Sequence, residues 1–356
     1  MSGVWGKKIQ YSIFGESHGA AIGITISGLP AGLKLDFDLI KKEMQRRAPG
    51  SSDLVTPRKE EDNFEILSGY FEERTTGTPL CAIIRNKNTQ SSDYTNLRYA
   101  MRPGHADYSG RVKYKGFNDF RGSGHFSGRI TAGLVFAGAI AKQILVEKGI
   151  KIISHINSIY NIKDTSFDLT NISEDIINKL STIPFPVIDD TAAEEMKQCI
   201  RKAKEAKNSV GGVVECAILN LPPGIGEPFF DSMESTMAHL LFSVPAVKAV
   251  EFGRGFEITT MKGSQANDPY YIDNGTIKTS SNNNGGLIGG ITNGMPVIFR
   301  CAIKPTASIS LEQNTVDIIE MKSTTLTVEG RHDPCIVPRV LPVIEAVSAL
   351  AVLEHI

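Results

Sequence analysis

Three short strings hold the residues best suited to moving protons: Phe14-Gly15-Glu16-Ser17-His18-Gly19, Arg102-Pro103-Gly104-His105-Ala106-Asp107 and Arg331-His332-Asp333-Pro334. Each sets a histidine beside a glycine, a proline or a carboxylate, in a stretch too polar to be core. Imidazole titrates nearer neutrality than any other side chain, so it can give or take a proton there. The strings lie at the start, in the first third and near the end of the chain, which points to one site assembled from distant segments. His18 and His105 are candidate acids and Asp333 is a candidate base. Gly15 and Gly19 around His18, and Gly104 before His105, let the backbone come close to a ligand. His332 is intermediate. His155 and His239 sit in apolar strand-like and helix-like settings and read as structural, as does the terminal His355.

Anion binding is the second chemistry on offer. Arg46 and Arg47 precede Pro49-Gly50, Arg58 and Lys59 follow, and Arg102, Arg111, Arg121 and Arg129 crowd a stretch with little periodicity. A guanidinium is a planar fork of donors that grips carboxylate or phosphate in two places. The run Gly122-Ser123-Gly124-His125-Phe126-Ser127-Gly128 opens a predicted helix, whose free N–H groups and dipole favour a phosphate. It lacks the Gly-Lys-Ser/Thr of a Walker loop, and no strand precedes it as a dinucleotide fingerprint requires. It reads equally as a flexible start to the helix. Lys304-Pro305-Thr306-Ala307-Ser308 follows an apolar strand and would line a pocket for a phosphorylated cofactor or simply end the strand. The residues alone leave open an acid–base enzyme acting on an anion and a phosphate-handling transferase with Gly122–Gly128 as its cradle.

Other classes are disfavoured. No His/Cys/Asp group has metal-ligand spacing, so no metal is expected. No Gly-x-Ser-x-Gly elbow is present. The 38 basic and 39 acidic residues balance to a net charge of −1, which argues against nucleic acid as a partner. The five cysteines are scattered, Cys335 has no basic neighbour to activate it, and reduced thiols in a cytoplasmic protein are the expectation. The N-terminus lacks the apolar stretch of a signal peptide, and the apolar run Ile130 to Val146 is broken by Lys142 and Gln143, so it reads as a buried helix without a membrane role.

The elements that must position these groups follow from pattern. Alternation predicts a strand over 22–28, and an Asp36 or Asp38 cap starts a helix that Pro49-Gly50 stops. Strands are expected at 64–67 and 79–85, then a polar, glycine-rich stretch over 86–127. A helix follows over 128–148, a strand or strand pair over 150–162, an irregular stretch over 163–190 and a charged helix over 191–206. Strands at 211–219 and 246–252 flank a helix at 232–242. The Asn/Ser/Gly-rich 264–286 segment reads as a mobile loop, 287–294 with 295–303 as a hairpin, and 338–355 as a helix. Strands and helices alternate without regular βαβ spacing, so one α+β domain with antiparallel pairing is expected over residues 1–356.

Taken in order, these strings resemble the chorismate synthase family nearly end to end. Besides the three histidine strings, the resemblance rests on Arg46-Arg47 with Pro49-Gly50, Glu65-Ile66-Leu67-Ser68-Gly69, Thr75-Thr76-Gly77-Thr78-Pro79, Ala246-Val247-Lys248, Glu251-Phe252-Gly253, Gly285-Gly286, Gly289-Gly290-Ile291 and Lys304-Pro305-Thr306. It implies a β-α-β sandwich, helices between two antiparallel sheets, usually a homotetramer. It implies a 1,4-elimination of phosphate from 5-enolpyruvylshikimate 3-phosphate that needs reduced FMN without net redox change. His18 would protonate or hydrogen-bond the flavin, His105 would donate to the departing phosphate, and Asp333 would help remove the C6 proton near the flavin N5. Arg47, Arg58, Arg102, Arg129 and Arg339 would hold the substrate's phosphate and carboxylates. Flavin contacts would fall on His125, Phe126, Ser127, Pro245, Ala246, Gly289, Lys304, Pro305, Thr306, Ala307, Ser308 and Arg331. Arg47 also matches a position linked to NADP in members that reduce their own flavin. No appended reductase segment is visible, so an external flavin reductase is expected. The chain departs from the commonest family form, Arg-Ser-Ser-Ala-Arg-Glu-Thr, by having His125-Phe126-Ser127-Gly128-Arg129-Ile130-Thr131 there. A non-catalytic flavin-binding or anion-sensing protein is the alternative within this resemblance.

Overall fold

The computed structural model describes residues 3–50, 54, 61–87, 97–328, 330 and 332–356. It divides into two compact units, each built from discontinuous segments: Met1–Ala137, Gln198–Val210 and Pro305–Arg339 in the first, and Gly138–Lys197, Gly211–Lys304 and Val340–Ile356 in the second.

The first unit is organised by a five-stranded antiparallel sheet in the order Val4–Trp5, Gln10–Gly15, Ala21–Ser27, Leu80–Arg85, Phe64–Ser68. Alternation places Ile22, Ile24 and Ile26 on one face, opposite Ile84, Ala82 and Leu80, and all six are buried. The helix Phe37–Arg47 is capped by Asp36, whose carboxylate accepts from the amides of Asp38 and Leu39. Ile40, Met44 and Arg47 share its buried face, so the helix carries Arg47 inward. The helix Thr131–Glu147 starts in this unit. A Cβ on its Gly133 would stand 3.3 Å from the Gly23 carbonyl, so glycine lets the helix start close against the strand. A hairpin, Gln313–Asp317 with Lys322–Leu326, takes an isolated bridge from Ala100 to Asp317, and the Thr315 hydroxyl donates to the Met101 carbonyl. These bonds anchor the chain just before Arg102.

The second unit has its own five-stranded antiparallel sheet, in the order Val247–Phe252, Val297–Ile303, Gly212–Leu219, Lys151–Ile159, Ile162–Lys163. Ile153, Ala217 and Ile298 form a core with Leu180 of the helix Glu174–Thr182. At its centre His155, fully buried, is held at 2.8 Å by Asp164 and at 2.9 Å by Glu215. The imidazole is structural, as its apolar setting suggested, and its two carboxylate partners outweigh burial to raise its pKa.

Three expectations need correction. Residues 163–190 contain the helix Glu174–Thr182, capped by Ser173; its apolar face is short, and only burial of Leu180 reveals it. The 264–286 segment is built: Tyr270–Asp273 pairs with Thr276–Thr279, and Asp268 accepts from the amides of Asn283 and Asn284 and from the side chains of Ser281, Asn283 and Asn284. Asparagines that looked like loop composition are the donors that fold it. The 287–303 hairpin does not form as expected. Leu287–Ile288 pairs with Ile291–Thr292, while Val297–Ile303 lies between Gly212–Leu219 and Val247–Phe252. A strand that is apolar apart from Arg300, which pairs with Glu251 on the neighbouring strand, is more stable inside a sheet than in a lone hairpin. Within the polar 86–127 stretch, a seven-residue helix, Asp107–Lys113, follows His105. Both sheets are antiparallel throughout, in keeping with an α+β fold. The helical stretch Gly128–Glu147 is apolar and long enough to cross a membrane, yet Ala132, Val135, Phe136, Ala139, Ile140, Ala141 and Leu145 are packed inside the protein.

Candidate functional site

The turn bearing His18 is held from two sides. The Asn86 amide donates to the carbonyls of Glu16 at 3.0 Å and Gly19 at 2.9 Å. From the other side, the Ser17 hydroxyl donates to the Gly122 carbonyl at 2.7 Å, and the Ser17 amide donates to Gly124. His125 Nδ1 lies 2.8 Å from the Gly15 carbonyl; a carbonyl only accepts, so Nδ1 carries the hydrogen. Gly122, Ser123 and Gly124 all have positive φ, at 57°, 76° and 54°. A Cβ on Gly122 would lie 2.2 Å from His18 Cδ2 and 2.4 Å from its Nε2. Gly122 therefore serves close packing on the buried His18 ring, which is 7% exposed, while a Cβ on Gly124 would meet the Asp119 carbonyl. Phe126 packs over Gly110, where a Cβ would lie 2.5 Å from its ring.

His105 stands in a second cluster. Its Nδ1 lies 2.6 Å from Asp107 Oδ1. Arg102 is 4% exposed and grips Asp107 in two places, Nε to Oδ2 and Nη2 to Oδ1, both at 2.7 Å. The same guanidinium donates to Ser123 at 3.1 Å and to Ser308 at 3.0 Å. Burial pushes the Asp107 carboxyl up, but hydrogen bonds and charge from Arg102 and His105 outweigh it and hold the group well below the usual carboxylate range.

The third cluster gathers arginines around carboxylates. Asp62, buried, takes Nε and Nη2 of Arg47 on one oxygen and Nη1 of Arg129 on the other. Arg129 also donates from Nε to Asn86 Oδ1 at 3.1 Å. Arg339 donates to the Arg47 carbonyl at 3.1 Å and to Asp333 Oδ2 at 2.6 Å. Burial lowers the Arg339 pKa despite its Asp333 partner. Among the described residues, two carboxylates thus face three arginines, leaving local positive charge suited to an anion. Asn86 joins the His18 turn to Arg129, and Ser123 joins the 122–125 loop to Arg102. The segments carrying His18, His105 and Asp333 are therefore linked by hydrogen bonds within one unit.

Thr306 has a buried hydroxyl oxygen without a hydrogen-bond partner, while its carbonyl accepts from Ser209 at 2.7 Å. A buried hydroxyl of this kind needs a partner from outside the protein, water or ligand. Ser127 caps the turn that bears Arg129, accepting from its amide. Pro245, Ala246, Gly289 and Lys304 belong to the second unit, where the Lys304 amide donates to Ala246, a residue with φ of 76°. Arg58 and Arg331 lie outside the described residues. Cys335 is fully buried, and burial pushes its thiol up to about 12, so no thiolate nucleophile forms there. Pattern reading missed Asp62 and Asn86, which stand in polar stretches without periodicity, and missed the partners of Asp107 although it stands inside a recognised string.

A profile described as chorismate synthase matches residues 9–356. A chorismate synthase of Dehalococcoides mccartyi strain BAV1 is 47% identical over 354 residues, covering 99% of this chain and 96% of that protein. One of Pyrococcus abyssi is 46% identical over 351 residues, again 99% of this chain and 96% of the relative. A solved structure, described as a crystal structure of chorismate synthase, matches with a TM-score of 0.74 at 30% identity, covering 99% of this chain and 92% of that one.

Proposed function

The chain belongs to the chorismate synthase family, and from that membership we propose which residues carry its reaction and that reduced FMN is the bound cofactor. The protein is a lyase of the shikimate pathway, converting 5-enolpyruvylshikimate 3-phosphate into chorismate for aromatic amino acid synthesis. Its difficulty is physical: the hydrogen lost from C6 has no neighbouring carbonyl to acidify it. Reduced FMN, when bound, supplies the electron density that eases departure of phosphate. His125, Phe126, Ser127, Thr306, Ala307 and Ser308 are assigned to hold it, supported by the orphan hydroxyl of Thr306. The assignment of Pro245, Ala246, Gly289, Lys304 and Arg331 rests on the resemblance alone.

Arg129 and Arg339 are assigned to the substrate's phosphate and carboxylates, with Arg47 behind them on Asp62. His105 donates a proton to the departing phosphate oxygen. A donor aimed at charge that develops in the transition state contributes about 3–4 kcal/mol in a water-poor site. Asp333 receives the C6 proton, and Arg339 beside it orients the carboxylate. His18 holds a proton beside the cofactor, in a turn fixed from both sides. The observation carrying this reading is the hydrogen-bonded linkage of the His18, His105 and Asp333 segments in one unit. A transferase using Gly122–Gly128 as a phosphate cradle is less well supported, because Gly122 packs on His18.

Burial of Arg47 on Asp62 favours an external reductase over direct NADPH use. Exposed Phe229, Phe230 and Phe256, each at least 80% accessible, are suited to an interaction surface, while the homotetramer and the cytoplasmic location are assigned from the resemblance alone. The test mixes purified protein, the enolpyruvyl substrate and FMN. Chorismate should appear with reduced flavin and not with oxidised flavin, and NADPH with oxidised flavin should not restore it. His18→Ala and His105→Ala should each lower turnover by about 10²–10⁴. Near-normal rates in both variants would remove their assigned roles, and binding without turnover would favour the non-catalytic alternative.

A further inference from the structure

We propose that Asp107 is a positioning residue that fixes the hydrogen of His105 on Nδ1 and so leaves Nε2 as the nitrogen that meets substrate, with Arg102 bracing Asp107 in place of binding substrate itself. This rests on the reading of His105 as the proton donor to phosphate.

The hydrogens of Arg102 can be counted. A guanidinium has five N–H bonds, one on Nε and two on each Nη. Nε–H of Arg102 goes to Asp107 Oδ2, and the two hydrogens of Nη2 go to Asp107 Oδ1 and Ser123 Oγ. One hydrogen of Nη1 goes to Ser308. Nη2 also approaches His105 Nδ1 at 3.2 Å, but it has no hydrogen left to give there. His105 Nδ1 must therefore be the donor, and its acceptor is Asp107 Oδ1 at 2.6 Å. The neutral ring then carries its lone pair on Nε2. The protonated ring carries a transferable hydrogen on Nε2 and keeps the Nδ1 hydrogen throughout, so the ring need not flip between turnovers. Arg102, 4% exposed and with one N–H unassigned, has too few free donors to clamp a phosphate or carboxylate in two places.

Asp107→Asn separates these roles. Oδ2 of Asp107 accepts both the amide and Nε of Arg102, at 3.1 and 2.7 Å, so the new amide oxygen settles there. The amide nitrogen then faces His105 and donates to Nδ1, moving the ring hydrogen to Nε2. The wrong tautomer at the equivalent carboxylate of a Ser-His-Asp triad lowers kcat by about 10⁴.

The experiment is ¹⁵N NMR of histidine-labelled protein, with His105 assigned by its loss in His105→Ala, alongside steady-state kinetics. Wild type should show neutral His105 protonated on Nδ1, and Asp107→Asn should show it on Nε2. Turnover in Asp107→Asn should fall by about 10²–10⁴ with KM little changed, and Asp107→Glu should recover part of it. Arg102→Lys should likewise lower kcat and spare KM, where a substrate ligand would raise KM. An Nε2-protonated His105 in wild type overturns the proposal even if no variant folds. So does an unchanged tautomer with unchanged kcat in Asp107→Asn. Full activity in His105→Ala would instead remove the donor role of His105, while the ring spectra would still decide whether Asp107 sets its tautomer.

Discussion

Asp62→Asn is the most informative perturbation of the arginine cluster. The side chain keeps its shape and loses one charge. In the native protein Asp62 is 3% exposed and its two oxygens are divided between Arg47 and Arg129, themselves 2% and 8% exposed. With Arg339 and Asp333 attached through the Arg47 carbonyl, the five groups carry a net charge of +1, which the substitution raises to +2. One guanidinium must then face an amide N–H in place of an acceptor. Breaking a buried ion pair by removing one partner costs about 3–5 kcal/mol, a large part of the roughly 5–15 kcal/mol that holds a domain folded. At about 2–4 °C per kcal/mol, the melting temperature should fall by on the order of 10 °C.

The same carboxylate sets a pH dependence. Burial raises the Asp62 pKa, but Arg47 and Arg129 outweigh it, so the folded value lies below the ordinary 3.8. A depressed folded pKa gives stability that is complete above 3.8 and drains away as pH falls through the folded value. Melting followed by circular dichroism at pH 7 and down through the acid range tests both points. The gap between wild type and Asp62→Asn should be widest near neutrality and close in acid. Added phosphate should raise the melting temperature of the variant more than that of wild type, since the variant has the larger cation excess. A variant melting within about 2 °C of wild type at pH 7 would refute the account.

Two further outcomes test other parts of the structure. His155→Gln should cost about 3–5 kcal/mol at pH 6, because it strips the cation from between buried Asp164 and Glu215. Burial lowers the His155 pKa, yet its two carboxylate partners outweigh that and raise it, so its contribution is complete below 6.5 and is lost as pH rises through the folded value. The wild-type advantage in melting temperature should therefore shrink in alkaline solution, and a gap that widens there would contradict the assignment of a buried imidazolium. Gly122→Ala should lower turnover sharply at unchanged oligomeric state, because the new methyl would lie 2.2 Å from the His18 ring at a φ of 57°; a fully active variant would show that the loop need not pack on His18.

Much of the architecture follows from local pattern. The alternation of Ile22, Ile24 and Ile26, the Asp36 cap and the apolar run after Ile130 correspond to a strand, a helix start and a buried helix. Each is a short-range effect, in which neighbouring residues decide the period and the boundary. The histidine strings were equally legible, because a histidine between glycines and carboxylates is chemically conspicuous wherever the chain later goes. Polar segments without a period fared worse. The helix Glu174–Thr182 and the Asp268 network were hidden because their stabilising partners are not local.

The candidate site shows the same division more sharply. Residue types at 18, 105, 333, 47, 129 and 339 state what chemistry is available. They do not state that Arg129 meets Asp62 across 67 residues, that Arg102 meets Ser308 across 206, or that Asn86 joins the His18 turn to Arg129. A buried charge must find a partner, but which partner depends on where the folded backbone sets each group, to within the reach of a hydrogen bond. Sequence alone determined the supply of acids, bases and cations; the tertiary structure alone decided which arginines brace which carboxylates, because those choices are made by distances between segments far apart in the chain.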